Sequence, residues 1–299
     1  MKKLFLCGSI AVMAAFTSCN DDYSNSVTNA VGAVNLVDYS DGSTSISEGQ
    51  YGYSLNWGSG YQKGTISVGN LVLNGNPVSF QTEESNYQTS GDFLQAYFTN
   101  VGSLQQNLTN AKFLLTPFNY LAFVNNMGEV VSGVSGSDVM IAQYMIGSTR
   151  VRTFQKITTF RGQTTTSYEF QGQPYTNETD KILYQLILSF DKETGAISGK
   201  IIMYNAKFSH IKEEPLKTWI TIDGLDVNYA DGKLIVSGTE IVPTVPDGNN
   251  NETENDSFTF NSIVFETTSA NLVEAQITYT VDNRFEGTFT GAYAFSDFL

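Results

Sequence analysis

The chain has 299 residues, enough for one large or two ordinary domains. It carries 30 acidic against 16 basic residues, a formal net charge of −14. That balance repels a phosphate backbone and excludes nucleic acid as a partner; anionic lipid headgroups are repelled on the same ground.

The first element is Met1-Lys2-Lys3 followed by an apolar run from Leu4 to Phe16. Two lysines and a run too short to span a bilayer form the n- and h-regions of a secretory signal. Phe16-Thr17-Ser18-Cys19 comes next. Small residues before a cysteine, directly after an h-region, resemble a bacterial lipobox, although phenylalanine stands where leucine is commoner. The resemblance implies cleavage after Ser18 and a diacylglycerol on the Cys19 thiol. Residues 1–18 are then the signal peptide, and residues 19–32, polar with small side chains, are a lipidated tether. Two or more acyl chains hold a protein stably on a membrane, so the lipid on Cys19 is the expected membrane attachment. Asn20-Asp21-Asp22 resembles the acidic export signal of Bacteroidota surface lipoproteins, which implies the outer membrane and its outer face. The other cysteine, Cys7, leaves with the signal, so no thiol nucleophile and no cysteine-based zinc site is expected downstream.

Residues 20–149 hold only Lys63 and Lys112 as basic residues, and the later half is ordinarily charged. The reading is two domains, 33–148 and 149–299. In the first, Tyr51, Tyr53, Leu55 and Trp57 alternate with polar residues, and Gly58-Ser59-Gly60 turns the chain toward Tyr61. This period-2 aromatic cluster has two readings: core, or a face on which a ligand stacks. Leu71 to Phe80 around Asn74-Gly75 is a hairpin. Ser103 to Ala111 is the one helix expected, capped by Ser103. Gly58, Gly60 and Gly64 do not make a phosphate loop, because β-type alternation follows them and not a helix.

In the second domain, Ile202, Tyr204, Ala206, Phe208 and His210 are read as one strand face, and Trp219 opens the next strand. His210 is the only histidine, which excludes sites needing two imidazoles; no G-x-S-x-G elbow accompanies it. Asp247, Asn249 and Asn251 place oxygens at alternate positions, as a calcium loop does. Glu252 stands where that loop needs glycine, so an acidic hairpin loop is the primary reading and calcium the alternative. Phe258 and Phe260, then Ile263 and Phe265, shift phase by one, which predicts a bulge. Ile277, Tyr279 and Val281 form a strand, Asp282-Asn283 the turn, and Phe285 to Phe295 the last strand. Glycines between the aromatics of that strand predict the tight curvature of a closing barrel.

The fold expected is all-β, an antiparallel barrel or sandwich in two domains with very little helix. The chain resembles uncharacterised Bacteroidota lipoproteins with lipocalin-like, or calycin-like, β-domains. The resemblance rests on Phe16–Asp22, Lys200–Phe208 with Trp219-Ile220-Thr221-Ile222, and Phe285–Phe295. It transfers no catalytic residues. No catalytic motif and no cofactor is implied, so a non-enzymatic binding protein leads, its ligand a glycan or a small apolar molecule. Tyr51, Tyr53, Trp57, Tyr61 and Trp219 are the candidate ligand-binding residues. The alternatives are a surface assembly component engaging other proteins and a carboxylate-based glycoside hydrolase. Composition does not set the oligomeric state.

Overall fold

The computed structural model describes residues 25–58, 61–90, 95–98, 108–115, 140–206, 208, 219–247, 251–267 and 274–293. Cys19, His210 and Asn249, singled out above, lie outside them. The described residues form strands in two sheets and no helix.

The first sheet holds β1 (Asn25–Asp38), β2 (Thr44–Gly58), β3 (Tyr61–Leu73), β4 (Asn76–Gln81), β5 (Ser85–Asn86), β6 (Gln88–Ser90), β7 (Gln95–Phe98), β8 (Leu108–Leu115), β9 (Met140–Ile146) and β10 (Thr149–Gln155). Its order is β4-β3-β2-β1-β10-β9-β8-β7-β6, an open sheet curled into a half-barrel. Two-residue turns join β3 to β4 and β9 to β10, and five residues join β1 to β2. Asn74 and Gly75 both take positive φ, 49° and 77°, which supplies the twist that a tight hairpin between β3 and β4 requires.

The second sheet holds β11 (Ile157–Phe170), β12 (Gln173–Thr179), β13 (Leu183–Phe190), β14 (Ile197–Tyr204), β15 (Trp219–Ala230), β16 (Lys233–Ile241), β17 (Thr244–Pro246), β18 (Glu252–Glu254), β19 (Phe260–Thr267), β20 (Glu274–Val281) and β21 (Phe285–Tyr293). Eight of these close a ring in chain order: β11, β13, β14, β15, β16, β19, β20 and β21, with β21 returning to pair antiparallel with β11. This is an up-and-down antiparallel barrel, a topology that removes free edges. The glycines of the last strand do what the alternation predicts. Gly287 and Gly291 lie on the inner face of β21, and a β-carbon on Gly287 would fall 2.0 Å from the Tyr279 ring. The bulge expected after Phe260 is present between Phe260 and Ser262.

The bore of the barrel is filled. Phe160 packs on Phe265 with ring centroids 5.2 Å apart, Tyr184 on Phe289 at 4.5 Å, and Phe260 on Tyr279 at 5.9 Å. Leu186, Ile201, Met203, Ile222, Val236 and Ile277 complete a core buried to within a few per cent. The half-barrel has its own core of Tyr51, Tyr53, Leu55, Ile66, Val68, Tyr144 and Val151.

Strand β1 serves both cores. Alternate side chains point to opposite faces, so Ala33 and Val37 enter the half-barrel core while Val34 and Leu36 enter that of the barrel. A polar knot closes the junction. Arg152, 2 % exposed, donates to the Gly232 carbonyl at 2.8 Å, to the Tyr229 hydroxyl and to Asp38 Oδ2 at 3.3 Å. Tyr229 in turn donates to Asp38 Oδ1 at 2.7 Å, and the Thr44 hydroxyl donates to the Tyr229 carbonyl at 2.9 Å. A buried charge is tolerable only when so paired.

Three expectations differ from what is found. Residues 25–32, expected as tether, are the first part of β1. The change of sheet comes at Lys156 and not at 148, because β10 pairs with β1 in the half-barrel. Within the expected helix, residues 108–111 belong to β8, where Leu108 and Thr109 pair with β9 ahead of an irregularity before Lys112; residues 103–107 lie outside the described residues.

Candidate functional site

Tyr51 and Tyr53 are 0 % and 2 % exposed, so they are core side chains of the half-barrel. Tyr51 donates to Asn35 Oδ1 at 2.6 Å and lies 3.0 Å from the Tyr144 hydroxyl. Its proton is committed to Asn35, so Tyr144 is the donor of that second bond. Gly49 makes the arrangement possible: a β-carbon there would lie 2.3 Å from Asn35 Nδ2. Burial pushes the Tyr51 hydroxyl up to about 12 and that of Tyr144 well above its ordinary range. Trp57 and Tyr61 flank the end of the β2–β3 hairpin, where Gly58 pairs with Tyr61 and Trp57 with Gln62.

Trp219 stands apart from these, on the outer wall of the barrel. It starts β15 half-exposed and packs on Tyr204, with ring centroids 6.2 Å apart at 47°. The register puts Leu183, Tyr204 and Trp219 in one row across β13, β14 and β15, and Gln185, Ile202 and Thr221 in the next. With neighbouring strands about 4.8 Å apart, each row spans about 10 Å.

The wall departs from the single strand face expected over Ile202 to His210. Alternation puts Ile202 and Tyr204 on one face with Ala206 and Phe208, but Ile201 and Met203 point into the barrel and Ile202 and Tyr204 point out. The phase changes at Asn205, whose φ of 60° turns the chain so that Ala206 and Phe208 go back into the core. The result is an aromatic pair left on the surface beside Leu183 and Ile202.

Neutral hydrogen-bonding groups border the pair. Tyr204 donates to Gln185 Oε1 at 3.5 Å, and Gln185 Nε2 donates to Thr159 Oγ1 at 3.4 Å. Bonds this long are weak, so these groups exchange readily for a ligand hydroxyl. Partial burial raises the Tyr204 hydroxyl from its usual value, keeping it a neutral donor. On the far side the β17–β18 hairpin folds onto β15, where the Thr221 hydroxyl donates to Glu252 Oε1 at 2.9 Å and Thr244 to Glu252 Oε2 at 3.4 Å. Glu252 therefore forms an acidic rim.

The loop of that hairpin is closed by its own residues. Asn251 donates its backbone and side-chain nitrogens to the Asp247 carboxylate, at 2.9 Å for the backbone, and Asp247 N bonds the Asn251 carbonyl at 2.8 Å. Asp247 thus caps a hairpin loop. Among the described residues no cluster of three or more metal-type ligands occurs.

The aromatic pair is half legible in the sequence. Trp219 stands out by its type; Tyr204 does not, because simple alternation groups it with Ala206 and Phe208, which are buried. No family model matches the chain, and no curated protein is detectably similar to it.

Proposed function

We propose that this chain is a non-enzymatic, lipid-anchored protein of the cell envelope, held at the outer membrane through Cys19, that binds a neutral glycan on the outer wall of its barrel. The observation that carries the reading is the half-exposed Tyr204–Trp219 pair. Aromatic faces stack on the apolar faces of sugar rings, and Gln185, Thr159 and the Glu252 rim supply partners for hydroxyls. Apolar surface interrupted by a few placed polar groups is the usual make-up of a ligand site.

The barrel belongs to the architecture used by lipocalins, which carry small molecules in the bore. Here Phe160, Tyr184, Phe260, Phe265, Tyr279 and Phe289 occupy that space, so a small apolar ligand is the weaker choice and the outer wall the stronger.

A neutral-glycan array probed with the intact chain tests this. Binding is expected, and Trp219→Ala should raise Kd by about tenfold or more, the usual cost of truncating a central aromatic anchor. An array silent to the unaltered chain, or an unchanged Kd in Trp219→Ala, overturns the glycan reading.

A further inference from the structure

We propose that β12 is an association edge, at which two copies of this chain pair antiparallel about a two-fold axis centred on Thr176. The inference is independent of the glycan reading.

The edge is open because of how its neighbours end. The closed ring has no free edge, but β12 lies outside it and, among the described residues, pairs with β11 alone. The place beside it is where β14 would run if it continued past Tyr204, which lies opposite Leu183. Asn205 turns the chain into the core there, and its side chain donates to the Lys181 carbonyl at 3.1 Å. Gln173 to Glu178 are consequently exposed in an unbroken run.

The turn fixes which groups face outward. Gln171 and Gly172 have φ of 52° and 73°, a two-residue turn that makes Phe170 and Gln173 a hydrogen-bonded pair. Such pairs recur at every second residue of an antiparallel ladder, so Tyr175, Asn177 and Thr179 also direct their backbone groups at β11. Pro174, Thr176 and Glu178 direct theirs outward. The edge offers the N–H groups of Thr176 and Glu178 and the carbonyls of all three, proline having no N–H.

That set is complementary to itself, as a two-fold contact requires. With the axis at Thr176, each Thr176 N–H donates to the other copy's Thr176 carbonyl, and each Glu178 N–H to the other copy's Pro174 carbonyl. Every outward N–H is satisfied. An axis at Tyr175 leaves the Glu178 donors facing the turn at Gly172. An axis at Asn177 keeps the bonds but sets the two Glu178 residues about 7 Å apart along the strands, inside the screening length of about 8 Å; with the axis at Thr176 they are about 14 Å apart. In a chain of net charge −14 this favours Thr176. The same register sets Tyr175, 36 % exposed and stacked on Tyr168 with ring centroids 5.5 Å apart, diagonal to its copy, a spacing that aromatic rings bridge.

Other edges carry the features that discourage pairing. The ladder of β4 to β3 is broken between Val68 and Leu71, and β6 and β18 are 3 residues long, with Glu252 and Glu254 in β18.

The experiment oxidises the full chain carrying Thr176→Cys mildly and separates it without reductant, beside Glu178→Cys and the unaltered chain, which reveals any dimer made through Cys7 or Cys19. At the axis the two Cα atoms lie about 5.5 Å apart, within disulfide reach; at position 178 they lie well beyond the limit of about 7 Å. A covalent dimer from Thr176→Cys alone is expected. No dimer from it, or an equal yield from Glu178→Cys, overturns the pairing. Sedimentation is the second measurement. The unaltered chain should sediment as a dimer that dissociates on dilution, and Thr176→Pro, which removes only an outward N–H, should shift it to monomer with the β-sheet circular dichroism retained. If that signal is lost, the cross-link decides. A dimer unchanged in Thr176→Pro overturns the proposal, as does an unaltered chain that is monomeric at every concentration, which would leave the edge to a strand of another protein.

Discussion

Gly162 marks the closest approach of the two strands that shut the barrel. A β-carbon there would meet the Thr290 carbonyl oxygen at 2.1 Å and Gly291 Cα at 2.4 Å, and backbone atoms cannot swing aside as a side chain can. Gly162→Ala should therefore cost about 1–3 kcal/mol, as overpacking does, read as a lower denaturant midpoint with the slope retained. An unchanged midpoint would mean that the seam has slack. The partner glycines of this seam are legible in the sequence, because Gly287 and Gly291 interrupt a row of aromatics that alternates with polar residues. Gly162 is not. It lies in a threonine-rich strand with no aromatic row to interrupt, and its role exists only through pairing with Gly291, more than a hundred positions away. The same limit applies to the candidate site. Tyr204 becomes recognisable as a surface residue only through the reversal of phase at Asn205, since a single residue at positive φ leaves little trace in a hydrophobic pattern.

At the scale of the element, β1 does the most. Its segment Ala33-Val34-Asn35-Leu36-Val37 is nearly continuous in apolar residues, the mark of a strand covered on both faces. Adjacent residues there belong to different cores, which gives a direct test. Leu36→Ala and Val37→Ala should each destabilise the protein, the leucine by about 2–5 kcal/mol. Hydrogen exchange should separate them, with Leu36→Ala lowering protection in β15 and β16 and Val37→Ala in β2, β9 and β10. Identical protection maps would contradict the division. The earlier half of β1 escapes recognition in the sequence because residues 25–32 are small and polar and pair through their backbone with β2. Propensity also fails at residues 108–111, which belong to β8 despite a helix-like local pattern. The change of sheet at Lys156 is hidden for a related reason. Charge density rises near residue 148, but strand pairing and not composition assigns β10 to the half-barrel.

The whole molecule is sensitive to alkali through tyrosines placed in both cores and at the junction. Burial pushes Tyr51 up to about 12; Tyr229, at the junction, is likewise raised to about 12, by burial and then by its bond to Asp38. Tyr184, in the barrel, is raised well above the ordinary value by burial and by Tyr279. A folded-state value above that of the unfolded chain means that stability is intact below about pH 10 and declines as pH rises from about 10 to 12 and beyond. A tenfold change in a hydroxyl's acidity between the folded and unfolded chain corresponds to about 1.4 kcal/mol, so Tyr51 alone accounts for about 3 kcal/mol by the end of that window. Tyrosinate absorbance and circular dichroism should change together in a single alkaline transition. Full titration near pH 10 with the β-signal retained would show the hydroxyls to be accessible.

The placement of β1 also determines how the protein bears force. A pull applied at Asn25 runs along the strand axis. Along its length β1 is hydrogen-bonded to β2, and from Ala33 to Asp38 also to β10. A pull in that direction strains these bonds in parallel, as shear, where a pull across a sheet edge would peel them one at a time. The barrel grips the same strand through Val34, Leu36 and Asp38, so the load path from Asn25 to the barrel runs within one strand.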